Sequence, residues 1–194
     1  MPSLRRAVFL DRDGVLVHDD GYLLRENQIR LMDGVAAPLG RLKAAQLLLV
    51  VVSNQASVAR GLISEREVDR LNEQMADRIE KIGGPRLDAS YYCPHHPHAD
   101  LEEYRAACSC RKPRPGMILR AATEHGLDAR ASFLVGDRMT DIAAGAAAGC
   151  RTVLVTCGRH EAPPIVTVDP IDDCRPDHVC ADLQTACDWI LSQS

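Results

Sequence analysis

The chain has 194 residues, 46% of them apolar and 26% charged, with a formal net charge of −4. That length suits one well-cored domain spanning 1–194 and is short for two; the acidic balance, with no basic block, excludes a nucleic-acid-binding reading. No run reaches the roughly 18 apolar residues of a membrane span, and the apolar stretch at 7–10 is too short for the core of about 7–15 residues that a signal peptide carries. A cytoplasmic monomer with neither nucleic acid nor membrane as partner is expected.

The first predicted element is a buried strand over 7–10, which stops abruptly at Asp11. A helix is expected over 35–45. The unbroken run at 47–52, β-branched toward its end, reads as a central parallel strand covered on both faces. Ser64-x-x-Glu67 is a capping box that opens the clearest helix. Val68, Leu71, Met75, Ile79 and Ile82 share one face of it, and Gly83-Gly84-Pro85 ends it. The segment 93–117 has no strand or helix period. The next helix has Pro115 in its first turn and Ile118, Leu119 and Ala122 as apolar positions, and runs to Gly126. Strands at 132–135 and 151–155 enclose an Ala-rich helix over 140–148. Residues 160–176, rich in Pro and Asp, read as a surface loop, and Asp182 caps a last helix carrying Leu183, Ala186, Trp189 and Ile190. Alternating strands and helices predict a single α/β, Rossmann-like domain with a mainly parallel central sheet.

Sheets of this kind bind ligands beyond the carboxyl ends of their strands. The strands here run into Asp11-Arg12-Asp13-Gly14, Ser53-Asn54-Gln55 and Gly136-Asp137-Arg138-Met139-Thr140-Asp141. Residues two apart on an extended segment project to one side, so Asp11 and Asp13 can reach one point. Close carboxylates repel unless a cation or a shared proton intervenes, and Asp137 adds a third acid. Three converging oxygens suit Mg²⁺, and a carboxylate can also act as a covalent nucleophile. Aspartate is common at turns and caps for other reasons, but its recurrence at successive strand ends favours a site.

Eight cysteines remain to be placed. In a reducing compartment clustered cysteines are more often metal ligands or catalytic groups than disulfides. Cys150, Cys157, Cys174, Cys180 and Cys187 are scattered, and small, buried, inert side chains are expected there. Cys93-x-His95 and Cys108-x-Cys110 instead supply three thiolates and an imidazole, a closed tetrahedral set for structural Zn²⁺ in a loop over about 93–110. His96 and His98 compete as the fourth ligand; His95 is preferred.

Taken together, D-x-D-G, S-N, a downstream lysine and G-D-x-x-x-D, in that order from Asp11 to Asp141, resemble the haloacid dehalogenase (HAD) superfamily of phosphatases. The resemblance implies Asp11 as nucleophile and Mg²⁺ ligand, and Asp13 as general acid/base with its backbone carbonyl on the metal. It implies Asp137 as a further Mg²⁺ ligand, Ser53 and Asn54, with Gln55 beside them, on the phosphoryl group, and Lys112 neutralising its charge. The C-x-H…C-x-C loop directly before Arg111-Lys112-Pro113 is similar to that of the subgroup holding the heptose-bisphosphate and histidinol-phosphate phosphatases, which lack a large cap domain. DRDG…GY at Tyr22, DGV at Asp33, SNQ…ARG at Arg60-Gly61, YYCPHHP, and the long spacer between His95 and Cys108 resemble the heptose enzymes in particular, over most of 7–155.

What this second resemblance implies is Mg²⁺-dependent removal of the 7-phosphate from D-glycero-D-manno-heptose 1,7-bisphosphate, through an aspartyl-phosphate, in activated-heptose and surface-polysaccharide synthesis. Arg111 would recognise the substrate, the segment from Asp19 to Tyr22 would touch the sugar, and Arg138 would meet the second phosphate. Val15 departs from the Thr common in these enzymes, Ser57-Val58 departs from Ser-Gly, and no role carries over to 159–180. Two rival readings are histidinol-phosphate phosphatase and a zinc-stabilised binding module without catalysis. The intact Asp11, Asp13, Lys112 and Asp137 speak against the module, since binding needs no nucleophile.

Overall fold

A computed structural model describes residues 5–156 and 174–193. Six strands form one sheet: β1 (Ala7–Leu10), β2 (Leu48–Asn54), β3 (Ala89–Cys93), β4 (Phe133–Gly136), β5 (Arg151–Val155) and β6 (His178–Cys180). Their order is β3-β2-β1-β4-β5-β6, and every neighbouring pair is parallel. The chain steps from β1 to β2 and β3 on one side, then returns to β4 on the other. The order therefore reverses at β1, which puts the ligand-binding switch point beyond the ends of β1, β2 and β4.

The helices are α1 (Ala36–Ala44), α2 (Ala56–Ala59), α3 (Glu65–Lys81), α4 (Gly116–His125), α5 (Met139–Ala148) and α6 (Leu183–Ser192). Alternate strand residues face opposite sides, and the core divides the same way. Val8, Leu10, Leu49, Val51 and Val135 pack with Leu39, Leu42, Leu71, Met75, Ala186 and Ile190, under α1, α3 and α6. Ala7, Phe9, Val50, Val52 and Leu134 pack on the other face with Met117, Ile118, Ala121 and Ala144, under α4 and α5. Cover on both sides is the reason β1 and the first five residues of β2 are unbroken apolar runs.

β1 and β5 coincide with the expected spans, and β2 runs two residues further because Ser53 and Asn54 pair with Tyr92 and Cys93. The capping box forms as expected: Glu67 N–H donates to Ser64 Oγ (3.3 Å) and Ser64 N–H to Glu67 Oε2 (2.9 Å). Ile82 does not belong to the buried face; it is the C-cap of α3 and exposed. Pro115 is likewise the N-cap of α4 rather than a first-turn residue, and the face it introduces buries Met117, Ile118 and Ala121 while Leu119 is exposed. Two strands had no sequence signal. β3 and β6 are the sheet edges, three to five residues long with mixed burial, so neither shows an apolar run. Cys150 and Cys187 are buried as expected, whereas Cys174 and Cys180 are half-exposed, because they lie beside or within the uncovered edge strand β6. Cys157 and most of the 160–176 segment lie outside the described residues. No described helix is long and apolar enough to cross a membrane.

Candidate active site

Asp11 is the first residue beyond β1, and its N–H donates to Val135 O of β4 (2.9 Å), which ties it to the neighbouring strand end. Asp137 follows β4, and Asp141 lies in the first turn of α5. All three are buried, and one carboxylate oxygen from each lies within 4.8 Å of the others. Lys112, 3% exposed, places Nζ 2.9 Å from Asp11 Oδ1 and 2.5 Å from Asp141 Oδ1, and donates to Val52 O at 2.8 Å. Burial and then Asp141 push the Asp11 carboxyl well above the usual carboxylate range, against the pull of Lys112. Burial and then Asp141 also push Asp137 up, to about 6. Burial acts to lower Lys112, but Asp11 and Asp141 outweigh it and hold the ammonium above its usual range.

Three buried carboxylates gather beside Lys112, with Arg138 Nε 3.9 Å from Asp137 Oδ1, and a hard divalent cation such as Mg²⁺, which takes oxygen ligands, fits the set. Two glycines keep the space open. A Cβ on Gly14, whose φ is +85°, would strike the Asp137 carboxylate, and a Cβ on Gly136 would strike Asp141.

Asp13 stands elsewhere than the two-residue alternation suggests. The chain turns directly after Arg12, with Leu16 and Val17 N–H groups both donating to Arg12 O, and the Asp13 carboxylate lines the same cleft as Asp11 without joining the buried cluster. The Asp13 carboxylate accepts instead from Arg12 and Gln55. Asp141 supplies the third carboxylate. It stood within the G-D-x-x-x-D stretch but had no role, because only burial distinguishes it from an ordinary first-turn helix acid.

Asn54, the last residue of β2, brackets the Lys112 backbone: its Nδ2 donates to Lys112 O and its Oδ1 accepts from Lys112 N–H, both at 3.0 Å. Ser53 Oγ accepts from Gln55 Nε2 at 2.7 Å. These residues floor a cleft of about 700 Å³, whose lining also includes Asp19, Tyr22, Arg60, His96, His98, Arg111 and Arg138. Arg138 pairs with Asp19 at 2.6 Å, and Tyr22 is exposed. Burial, then Arg111 and Arg60, hold His96 at the cleft below the usual imidazole range. Arg12 and Arg60 had no role in the sequence reading; for Arg12 the available signal was a cation set between two acids at the end of a buried strand.

Cys93 ends β3, while Cys108 and Cys110 lie in the segment before α4. Their sulfurs are mutually 3.1–3.4 Å apart, and His95 Nδ1 is 3.8 Å from Cys93 Sγ and 3.7 Å from Cys110 Sγ. Contact with Cys93 is the main cause that pulls the Cys110 thiol down to about 5. His96 and His98 are outside the cluster, with the His98 N–H donating to His96 Nδ1 at 3.0 Å. Three sulfurs and one imidazole nitrogen, with no open position, are compatible with a structural Zn²⁺. Arg111 Nη1 donates to His95 O (3.1 Å), which joins this cluster to the cleft.

A family model described as HAD-hydrolase-like matches residues 109–186. The D-glycero-beta-D-manno-heptose-1,7-bisphosphate 7-phosphatase of Salmonella typhi is 39% identical over 191 residues, 96% of this chain and 89% of that protein. The chain belongs to the heptose-1,7-bisphosphate 7-phosphatase family. Another member of the family, the D-glycero-alpha-D-manno-heptose-1,7-bisphosphate 7-phosphatase of Burkholderia mallei (strain ATCC 23344), is 44% identical over 154 residues, 79% of this chain and 81% of that one. The D,D-heptose 1,7-bisphosphate phosphatase of B. bronchiseptica, solved with magnesium and phosphate, is 28% identical, with a TM-score of 0.77 over 97% of this chain and 99% of that one.

Proposed function

We propose that this chain hydrolyses the 7-phosphate of D-glycero-D-manno-heptose 1,7-bisphosphate, in one catalytic domain that acts as a cytoplasmic monomer in activated-heptose synthesis. The observation that carries the reading is the buried set of Asp11, Asp137 and Asp141 with Lys112 at the sheet's switch point, in a chain 39% identical to an enzyme of that name. Phosphoryl transfer asks for in-line positioning and neutralisation of charge on the equatorial oxygens, and a nucleophilic carboxylate beside a buried ammonium suits both demands. Asp11 attacks phosphorus; as its oxygen–phosphorus bond forms, the bond to the C7 oxygen breaks. Asp13, at the cleft wall, enters the step protonated and gives that proton to the departing alkoxide; the carboxylate so formed takes a proton back from the water that releases phosphate from Asp11. Lys112, pinned by Asn54, stays charged beside the phosphoryl group, and Ser53 lies at its edge.

Asp11, Asp137 and Asp141, with the Asp13 backbone carbonyl, would hold Mg²⁺, which when bound supplies further neutralisation of the phosphoryl oxygens. Cys93, His95, Cys108 and Cys110 would hold Zn²⁺ to shape the loop that carries Arg111 and Lys112. Arg60, Arg111 and Arg138 at the cleft offer the cations that a second phosphate needs. Asp19 and Tyr22 line the same wall, in reach of a sugar.

The test is kcat/KM with Mg²⁺ on both anomers of the heptose bisphosphate and on histidinol phosphate. Higher efficiency on histidinol phosphate overturns the substrate, and no turnover of any ester favours a binding module. Asp11→Asn is expected to abolish turnover while circular dichroism stays unchanged; substantial residual activity sinks the nucleophile assignment.

A further inference from the structure

Arg12 stands between the two aspartates and is 1% exposed, although arginine is rarely found inside a protein unless its donors are matched. Here they are. Nε donates to Asp13 Oδ1 (3.1 Å) and Nη2 to Asp13 Oδ2 (3.0 Å), so one edge of the guanidinium grips the whole carboxylate of its own neighbour. Nη2 also donates to Gln55 Oε1 (3.0 Å), and Gln55 Nε2 returns a bond to Asp13 Oδ2 (3.1 Å). From behind, Nη1 donates to Asn72 Oδ1 of α3 (3.1 Å). Asn72, 8% exposed, is the polar member of a face otherwise made of Val68, Leu71, Met75 and Ile79. Arg12, Asp13 and Gln55 all line the cleft, but Asp13 is the open member of this chain of contacts, with its side chain 24% exposed against 2% for Arg12.

We infer that Arg12, braced by Asn72, is a positioning residue that aims the Asp13 carboxylate at the leaving oxygen. A buried ion pair adds little net stability over an apolar filling of the same volume, so stability by itself does not account for a fork this fully matched. An arginine fork fixes both oxygens of a carboxylate in one plane, which a lysine cannot do. The inference rests on the reading of Asp13 as general acid.

The test compares kcat/KM, which reports steps up to the irreversible departure of the alcohol, on two esters. The heptose bisphosphate releases an alkoxide that needs a proton; p-nitrophenyl phosphate releases a stabilised phenolate that does not. A positioned acid is worth roughly 10²–10⁴-fold, so the ratio of alkyl to aryl kcat/KM is expected to fall about tenfold or more in Arg12→Lys and in Asn72→Ala. Equal losses on both esters, no loss on either, or a chain that no longer folds in both variants would assign the network to the fold and overturn the proposal. Asp13→Asn, measured alongside, separates the failures. If it shows the alkyl-selective loss and the other two do not, the Arg12 proposal falls by itself; if it shows none, the reading of Asp13 falls and takes the proposal with it.

Discussion

Asp11 and Asp137, two of the acids gathered near Lys112, sit in an environment where ionisation is costly, and metal binding and pH are coupled through that cost. In the metal-free protein Asp137 has its pKa raised from 3.8 to about 6, a cost of about 3 kcal/mol for ionising it in place. Between those values the native chain binds more protons than the unfolded chain, so this group's contribution to stability falls as pH rises through the window. Asp11 is shifted in the same direction. A bound cation removes the cost, because it requires the ionised form. Mg²⁺ is therefore expected to raise the melting temperature more at about pH 7.5 than at about pH 5; equal shifts at both would disconnect the metal from these carboxylates. At this scale the motif residues were legible as chemistry but not as geometry. Asp13 and Asp141 exchanged places in the carboxylate cluster because a turn after Arg12, invisible to a two-residue alternation, redirects one side chain.

Between β3 and α4 the chain has little regular structure, a single turn of 3₁₀-helix at Glu102–Tyr104. Its order depends on anchors: the Cys93, His95, Cys108 and Cys110 cluster at its base, Arg111 on His95 O, and Lys112 on Asn54. Removing two thiolates should free the Arg111 end without touching the carboxylates. Cys108→Ser/Cys110→Ser is expected to lose about one zinc per chain by elemental analysis, to raise KM, and to open the loop to limited proteolysis. A double variant with unchanged KM and unchanged protease resistance would deny the cluster any part in organising the cleft. Helices were the legible elements, since Ser64 and Asp182 announce their starts with side-chain caps. Edge strands were not, because an edge strand is only partly covered, and its partner is specified from far along the chain.

The molecule as a whole carries −4, yet Arg60, Arg111 and Arg138 gather along one cleft. Opposed signs of global and local charge make attraction of an anionic substrate a local, screened effect. Raising ionic strength is expected to reduce kcat/KM for the bisphosphate more steeply than for p-nitrophenyl phosphate, which has one phosphate fewer. Parallel declines would remove these arginines from recognition of the second phosphate.

The sequence by itself determined the α/β class, the central strands, the capped helices, the acidic and polar residues at the strand ends, and a set of zinc-type ligands. All of these follow from local spacing and from the chemistry of neighbouring residues. Only the tertiary structure decided that Asp141 joins Asp11 and Asp137, that Asn54 brackets Lys112, and that Arg12 is sealed in by Asn72 from α3. Apart from Asp137 and Asp141, which are four residues apart, those partners are separated by tens of residues, and what pairs them is the order of strands around the switch point, together with the burial that makes an unmatched charge too costly to leave.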